Sequence, residues 1–199
     1  MDRGDFKQQA RAKVRPLVLG LDRMGLTPNA VSVIGLLISF LAAWIASRGD
    51  LFFGAIVLIV GSGFDMLDGD LARLQGKESK AGAFLDSNFD RLAESGLFAG
   101  LAWFYMTLAY NDMAALMCLL TLAGSLTTSY ARARAEGLGT TCFGGWLQRP
   151  ERMVLIILGM MLGQHILVFV LMVLTVATWA TTVQRILSVM RNLDEADGA

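Results

Sequence analysis

Histidine occurs once and cysteine twice in 199 residues. Cys118 lies in an apolar run and Cys142 in a polar one, so their settings give no reason to pair them, and a disulfide framework is not expected. The lone His165 falls beside an expected outer turn and needs no catalytic role. Charge is also scarce: 17% of residues are charged, and 17 bases balance 17 acids, so no bulk field argues for nucleic acid. What abounds is apolar. Hydrophobic residues make up 55% of the chain, and the mean hydropathy of +0.54 excludes a water-soluble enzyme. A bilayer-spanning helix takes roughly 20 apolar residues, so the length is consumed by membrane segments and leaves little for an aqueous domain.

Uncharged runs cover 30–47, 51–64, 95–111, 113–131 and 153–184. The last is too long for one crossing and is expected to fold back near Gly163, Gln164 and His165. The second and third runs continue helically into the charged stretches 65–73 and 82–94, which places ionisable residues at the membrane boundary. The fold class expected is therefore an all-α integral membrane protein with six transmembrane helices, over 29–48, 51–75, 82–108, 112–135, 150–163 and 166–188. No short apolar core with a small-residue cleavage site opens the chain, so no signal peptide is expected. The methionines Met153, Met160, Met161 and Met172 read as fillers of helix contacts.

Basic residues set the expected orientation, because cytoplasmic loops collect Lys and Arg. Arg3, Lys7, Arg11, Lys13, Arg15 and Arg23 precede the first span, Arg73, Lys77 and Lys80 follow the second, Arg132, Arg134, Arg149 and Arg152 follow the fourth, and Arg185 and Arg191 follow the sixth. Only Arg48 stands on the other side. Both termini are thus expected in the cytoplasm of a multi-pass cell-membrane protein. Phe6, Ala10, Val14, Leu17 and Leu21 recur at spacings of three to four with bases between them, which suits an amphipathic helix in the cytoplasmic headgroup layer; a disordered basic tail is the other reading. The expected division is an N-terminal juxtamembrane segment over 1–24, a six-helix domain over 25–191 and a polar tail over 192–199.

Acids are the residues least expected in such a chain, yet Asp65 and Asp68 stand three apart, and Asp86 and Asp90 four apart. Each pair occupies one face of its helix, and a short turn joins the two helices, so a hairpin can gather four carboxylates into one volume. Their mutual repulsion calls for protons or cations. Hard divalent ions such as Mg²⁺ take carboxylate and phosphate oxygens, and Gly69, Ala72 and Gly82 leave room for a ligand to approach. Arg73 adds a fixed positive charge. Pairing with Arg73 and Arg91, or a proton or cation pathway, remain open on these residues alone.

Taken as a pattern, Asp65-x2-Asp68-Gly69-x2-Ala72-Arg73-x8-Gly82-x3-Asp86-x3-Asp90 resembles the complete signature of the CDP-alcohol phosphotransferase family. The resemblance extends over nearly the whole chain, through six membrane helices, an N-terminal interfacial helix and a site on the cytoplasmic side. It implies transfer of a phosphatidyl-type group from a CDP-linked lipid, CDP-diacylglycerol or CDP-archaeol, to a small polar alcohol with release of CMP. It further implies two divalent cations, Mg²⁺ or Mn²⁺, on Asp65, Asp68, Asp86 and Asp90, with Asp90 also the catalytic base, and a homodimer. For the donor it points to Pro28, Asn29, Ala30, Val31, Asp68, Gly69, Ala72, Arg73, Ser79 and Gly82. Independently, Thr27-Pro28 reads as a helix start.

The signature does not choose the acceptor. Arg132, the second arginine of Arg149-Pro150-Glu151-Arg152, and Arg185 resemble the basic pocket of the family's inositol-phosphate-using branch, with Arg132 where that branch often has Lys. Inositol phosphate is accordingly the acceptor expected. Glycerol 3-phosphate is the alternative within the family, and a small cation or proton carrier the alternative outside it; as a further reading, these arginines are positive-inside anchors.

Overall fold

The computed structural model describes residues 15–142 and 148–197, and every regular element in them is helical. Helix α1 covers 15–23, followed by α2 (Pro28–Ser47), α3 (Leu51–Gln75), α4 (Lys80–Thr107), α5 (Asp112–Gly137), α6 (Arg149–Leu162) and α7 (Gln164–Asp197). Short polar side chains start four of them. Thr27 Oγ1 accepts from Ala30 N at 3.3 Å, Asp50 Oδ1 from Phe53 N at 3.2 Å, Ser79 Oγ from Gly82 N at 3.0 Å and Asn111 Oδ1 from Ala114 N at 3.0 Å. Pro28 and Pro150 stand in the first turns of α2 and α6, where a missing N–H costs nothing. Gly76, at φ +62°, ends α3 by letting Lys77 N reach back to Ala72 O at 2.9 Å.

Four of these helices are long and apolar enough to cross a bilayer: α2, α3, α5 and α7. Helix α1 is short, and α4 and α6 depart for identifiable reasons. Helix α4 carries Asp86, Asp90, Arg91 and Glu94 between its start and its middle, and α6 has only 14 residues, about 21 Å at 1.5 Å per residue. The reversal expected near Gly163 lies at Gly163 itself, φ +98°, with His165 exposed beside it. Helix α7 continues through the polar segment 192–197.

Leu58, Leu97, Phe98, Leu101, Tyr105, Cys118, Ile156, Met160, Leu167, Leu171 and Leu174 form the main core. Cys118 and Cys142 are both buried and free. Met153 and Met160 pack in or against that core, whereas Met161 and Met172 face outward. Small residues bring helices close where no hydrophobic drive between helices exists in lipid. Gly100 lies against the Ala43 backbone and Gly96 against the Phe40 ring, which sets α4 on α2, while Gly124 faces Thr178 and sets α5 on α7. Threonine pairs add hydrogen bonds along that second seam, Thr121 to Thr175 at 2.8 Å and Thr128 to Thr182 at 2.7 Å. Outward surfaces carry Trp44, Phe53, Trp103, Phe169 and Val176, all exposed, as a lipid-facing surface requires.

The N-terminal helix departs from the expectation in its register. Phe6, Ala10 and Val14 lie outside the described residues, and of the remaining apolar positions Val18 and Leu21 pack against Val31, Leu67 and Leu71 while Leu17 stays exposed. One face of α1 is thus committed to the bundle beside the cytoplasmic halves of α2 and α3.

Candidate active site

The last turns of α3 and the first turns of α4 put the signature acids opposite one another. Asp65, Asp68 and Asp86 each offer a carboxylate oxygen within 4.8 Å of the others, a set able to hold a metal ion. Three hard oxygen donors from two rigid helices suit Mg²⁺ or Mn²⁺. Asp68 is buried, and its carboxylate accepts from the Ser32 hydroxyl of α2. That bond fixes the acid's orientation from a third helix, as partners behind a metal ligand commonly do.

Asp90, next to Asp65, is not a member of this triad. Its Oδ1 lies 2.6 Å from Arg149 Nη1, in ion-pair contact without hydrogen-bond geometry, and the same nitrogen donates to Asp65 Oδ2 at 3.0 Å. One guanidinium therefore bridges an acid of α3 and an acid of α4. Arg91 approaches Asp90 only to 3.9 Å. Arg73 pairs instead with Asp70 at 3.0 Å and donates through Nε to Gly69 O at 3.1 Å.

Two cavities flank the acids. The first, about 220 Å³, is lined by Pro28, Asn29, Ser32, Asp68, Gly69, Ala72, Arg73, Lys77, Glu78, Ser79, Gly82, Ala83 and Asp86. Eight of the ten residues expected around a CDP-lipid are among these; Ala30 and Val31 are not. Val31 is fully buried against Val18, Leu67 and Leu71, because position 31 turns toward α1 and α3. Ser32, Lys77, Glu78 and Ala83 join the lining without having been singled out by the sequence. Gly82 matters here for space, since a Cβ there would lie 3.2 Å from Ser79 Oγ, whereas one at Gly69 would meet only the end of the Arg73 side chain at 3.4 Å.

The second cavity, about 210 Å³, is bounded by Asp90, Arg91, Thr128, Ser129, Arg132, Gln148, Arg149, Pro150, Arg152 and Arg185. All three arginines expected to hold an acceptor phosphate line it, brought from α5, α6 and α7. They differ in support. Arg152 is buried with Glu94, whose Oε1 lies 3.3 Å from its Nη2, and it donates to Ser125 Oγ at 2.7 Å. Arg185 donates to Thr128 O at 2.8 Å, and Arg132 pairs with Glu136 at 2.9 Å on an exposed helix face. Glu94, Ser125 and Arg149 were missed as site residues, although Arg149 opens the same Arg-Pro-Glu-Arg segment. Its side chain reads as an anchor until the acids facing it are known.

Comparison with known proteins gives the family. The profile of the CDP-alcohol phosphatidyltransferase family matches residues 25–189. A phosphatidylinositol phosphate synthase of Mycobacteroides abscessus is 35% identical over 193 residues, covering 92% of this chain and 86% of its own. An archaetidylinositol phosphate synthase of Pyrococcus horikoshii is 36% identical over 194 residues, 92% of this chain and 98% of its own. Among solved structures, the Mycobacterium tuberculosis phosphatidylinositol phosphate synthase with CDP-DAG bound superposes with a TM-score of 0.83 at 35% identity, over 87% of this chain and 92% of that one. The same enzyme in complex with manganese and citrate gives 0.84 at 34%, over 88% of each. The chain belongs to the CDP-alcohol phosphatidyltransferase family.

Proposed function

We propose that this protein transfers a phosphatidyl-type group from a CDP-linked lipid to inositol phosphate, releasing CMP, in phospholipid synthesis at a membrane. The observation that carries this reading is the shared wall of the two cavities. Asp86 lines the first, Asp90 the second, and one helical turn of α4 separates them. A diphosphate seated against Gly69, Ala72, Arg73, Ser79 and Gly82 would present its lipid-side phosphorus toward Asp90, and an acceptor in the arginine pocket would meet it from the other side.

In that arrangement Asp90 takes the proton of the acceptor hydroxyl as its oxygen bonds to the lipid-bearing phosphorus. The bond from that phosphorus to the oxygen of the cytidine phosphate breaks, and CMP leaves with the electron pair. Divalent cations held by Asp65, Asp68, Asp86 and Asp90 supply, when bound, neutralisation of the diphosphate charge. Arg132, Arg152 and Arg185 hold the acceptor's own phosphate, which suits guanidinium forks because they stay charged and offer paired donors. The likeness to an inositol-phosphate-using bacterial enzyme and to its archaeal counterpart supports the acceptor more than it does the chains of the donor.

The same reading has six crossings of the membrane, with α4 and α6 as the third and fifth, and both termini, the turn 76–79 and both cavities on the cytoplasmic side. It retains the division into 1–24, 25–191 and 192–199 and the homodimer that the resemblance implies. Purified protein supplied with CDP-diacylglycerol or CDP-archaeol and a panel of inositol phosphate, inositol, glycerol 3-phosphate and serine is expected to release CMP fastest with inositol phosphate, and only with divalent metal. Preference for an unphosphorylated alcohol would overturn the acceptor assignment; metal-independent release would overturn the role of the acids.

A further inference from the structure

Arg149 shares Asp65 with the triad able to hold a metal ion and reaches Asp90 as well. Its Nη1 alone reaches Asp65 at 3.0 Å and Asp90 at 2.6 Å, and its buried Nε has no hydrogen-bond partner among the described residues. Buried donors of this kind are nearly always satisfied, so this guanidinium is held by charge more than by a complete set of bonds. Its backbone is firmly placed. Arg149 opens α6, Pro150 follows it, and Gln148 N donates to Glu151 Oε2 at 2.7 Å across the start of the helix. The side chain has another place to go, because it also lines the cavity of Arg132, Arg152 and Arg185.

A divalent ion bound to Asp65 and a guanidinium bound to the same carboxylate repel each other and compete for the same oxygens. We propose that Arg149 is an exchangeable counter-ion: it neutralises Asp65 and Asp90 without metal, and is displaced toward the arginine pocket when divalent cations bind. There it adds a fourth guanidinium for an anionic acceptor, so metal and acceptor phosphate strengthen each other's binding, as linkage requires of any such exchange. The part concerning the acceptor rests on the function proposed above. The competition with metal does not.

Mn²⁺ binding to the purified full-length protein in nanodiscs, followed by electron paramagnetic resonance without lipid substrate, tests the exchange directly. Arg149→Gln is expected to bind Mn²⁺ about tenfold more tightly than the parent, within the usual range of coupling between sites. Arg149→Lys, which keeps the charge, is expected to stay close to the parent. Unchanged or weaker Mn²⁺ binding in Arg149→Gln would overturn the proposal, and so would equal tightening in both variants. Thermal melting in Mn²⁺ and in chelator gives a second measurement should Arg149→Gln fold poorly without metal: the gain in melting temperature on adding Mn²⁺ is expected to be larger than in the parent, and an equal or smaller gain counts against the exchange. Repeating the titration with inositol phosphate present separates the two readings. Loss of mutual strengthening in Arg149→Gln supports the full proposal, its persistence overturns the acceptor half, and an acceptor that never affects Mn²⁺ binding in the parent while Arg149→Gln still tightens it counts against the acceptor pocket alone.

Discussion

Arg152 holds its charge where almost no water reaches, at 3% exposure, and Glu94 at 2% is what makes that tolerable. Removing one member of such a pair leaves the other uncompensated, at a cost of about 3–5 kcal/mol. Arg152→Ala is therefore expected to lower the melting temperature as well as to raise the acceptor KM at least about tenfold, the mark of a lost ground-state contact. Pairing it with Glu94→Gln removes the orphaned charge and is expected to recover most of the stability but none of the acceptor KM; recovery of both would make Arg152 a structural residue. Asp90→Asn is a cleaner case, because Asp90 lies outside the triad that gathers within 4.8 Å. It is expected to lose nearly all transfer in a CMP-release assay while the remaining triad still binds one Mn²⁺, whereas Asp68→Asn should weaken that binding itself. Turnover near the parent rate in Asp90→Asn would sink the base assignment. The acids were legible in the sequence because carboxylates three and four apart have no cheap alternative in an apolar helix. Ser32 was not, since one hydroxyl in an apolar run looks the same whether it touches a carboxylate or only its own helix, where Ser32 Oγ also donates to Pro28 O at 3.2 Å.

Helices rather than loops hold this site, and their ends were readable for a local reason: the capping side chains stand in the sequence next to what they cap. The expected spans 29–48 and 150–163 fall within a residue of Pro28–Ser47 and Arg149–Leu162. Which helix touches which was not readable, because period 3.6 gives a face but not its neighbour. Thus α1 turns Val18 inward where spacing pointed to Leu17, and the close approach of α4 to α2 at Gly100 left no signal beyond an ordinary glycine. That contact is testable. A Cβ at Gly100 would run into the Ala43 carbonyl, so Gly100→Ala has to part α2 from α4, the helices that bring Ser32 and Asp86 to one cavity. A destabilisation of about 1–3 kcal/mol is expected, as for other overpacked contacts, read as a lower melting temperature in detergent. Gly63→Ala is the control, with open space around its Cβ position and a helical backbone that favours alanine. Equal melting of the two variants would mean the α2–α4 seam is softer than its geometry indicates.

For the molecule as a whole, both cavities lie at one end of the bundle. The C-terminal turns of α3, the N-terminal turns of α4 and α6, the last turns of α5 and Arg185 of α7 all meet there. Among the described residues that end collects Arg73, Lys77, Lys80, Arg132, Arg134, Arg149, Arg152 and Arg185, while Arg48 stands alone at the other. Translocating a loop that rich in bases is disfavoured, so the catalytic end is expected in the cytoplasm, where a CDP-linked donor and a phosphorylated acceptor can be supplied. The geometry allows a sharp test, because α4 has 28 residues, about 42 Å at 1.5 Å per residue, and separates the turn at Glu78 from the turn before Asp112 by more than the roughly 30 Å hydrocarbon core. In a background lacking Cys118 and Cys142, which are buried and free, single cysteines at the exposed positions Glu78 and Leu138 are expected to react with a membrane-impermeant maleimide only in inverted vesicles. Those at Asp112 and His165, also exposed, are expected to react only in right-side-out ones. His165 decides the question of six crossings, since it sits on the turn between the short α6 and the long α7. Labelling of His165→Cys from the same side as Leu138→Cys would mean that α6 does not cross, and the arginine pocket would then need a different account of how Arg152 reaches it.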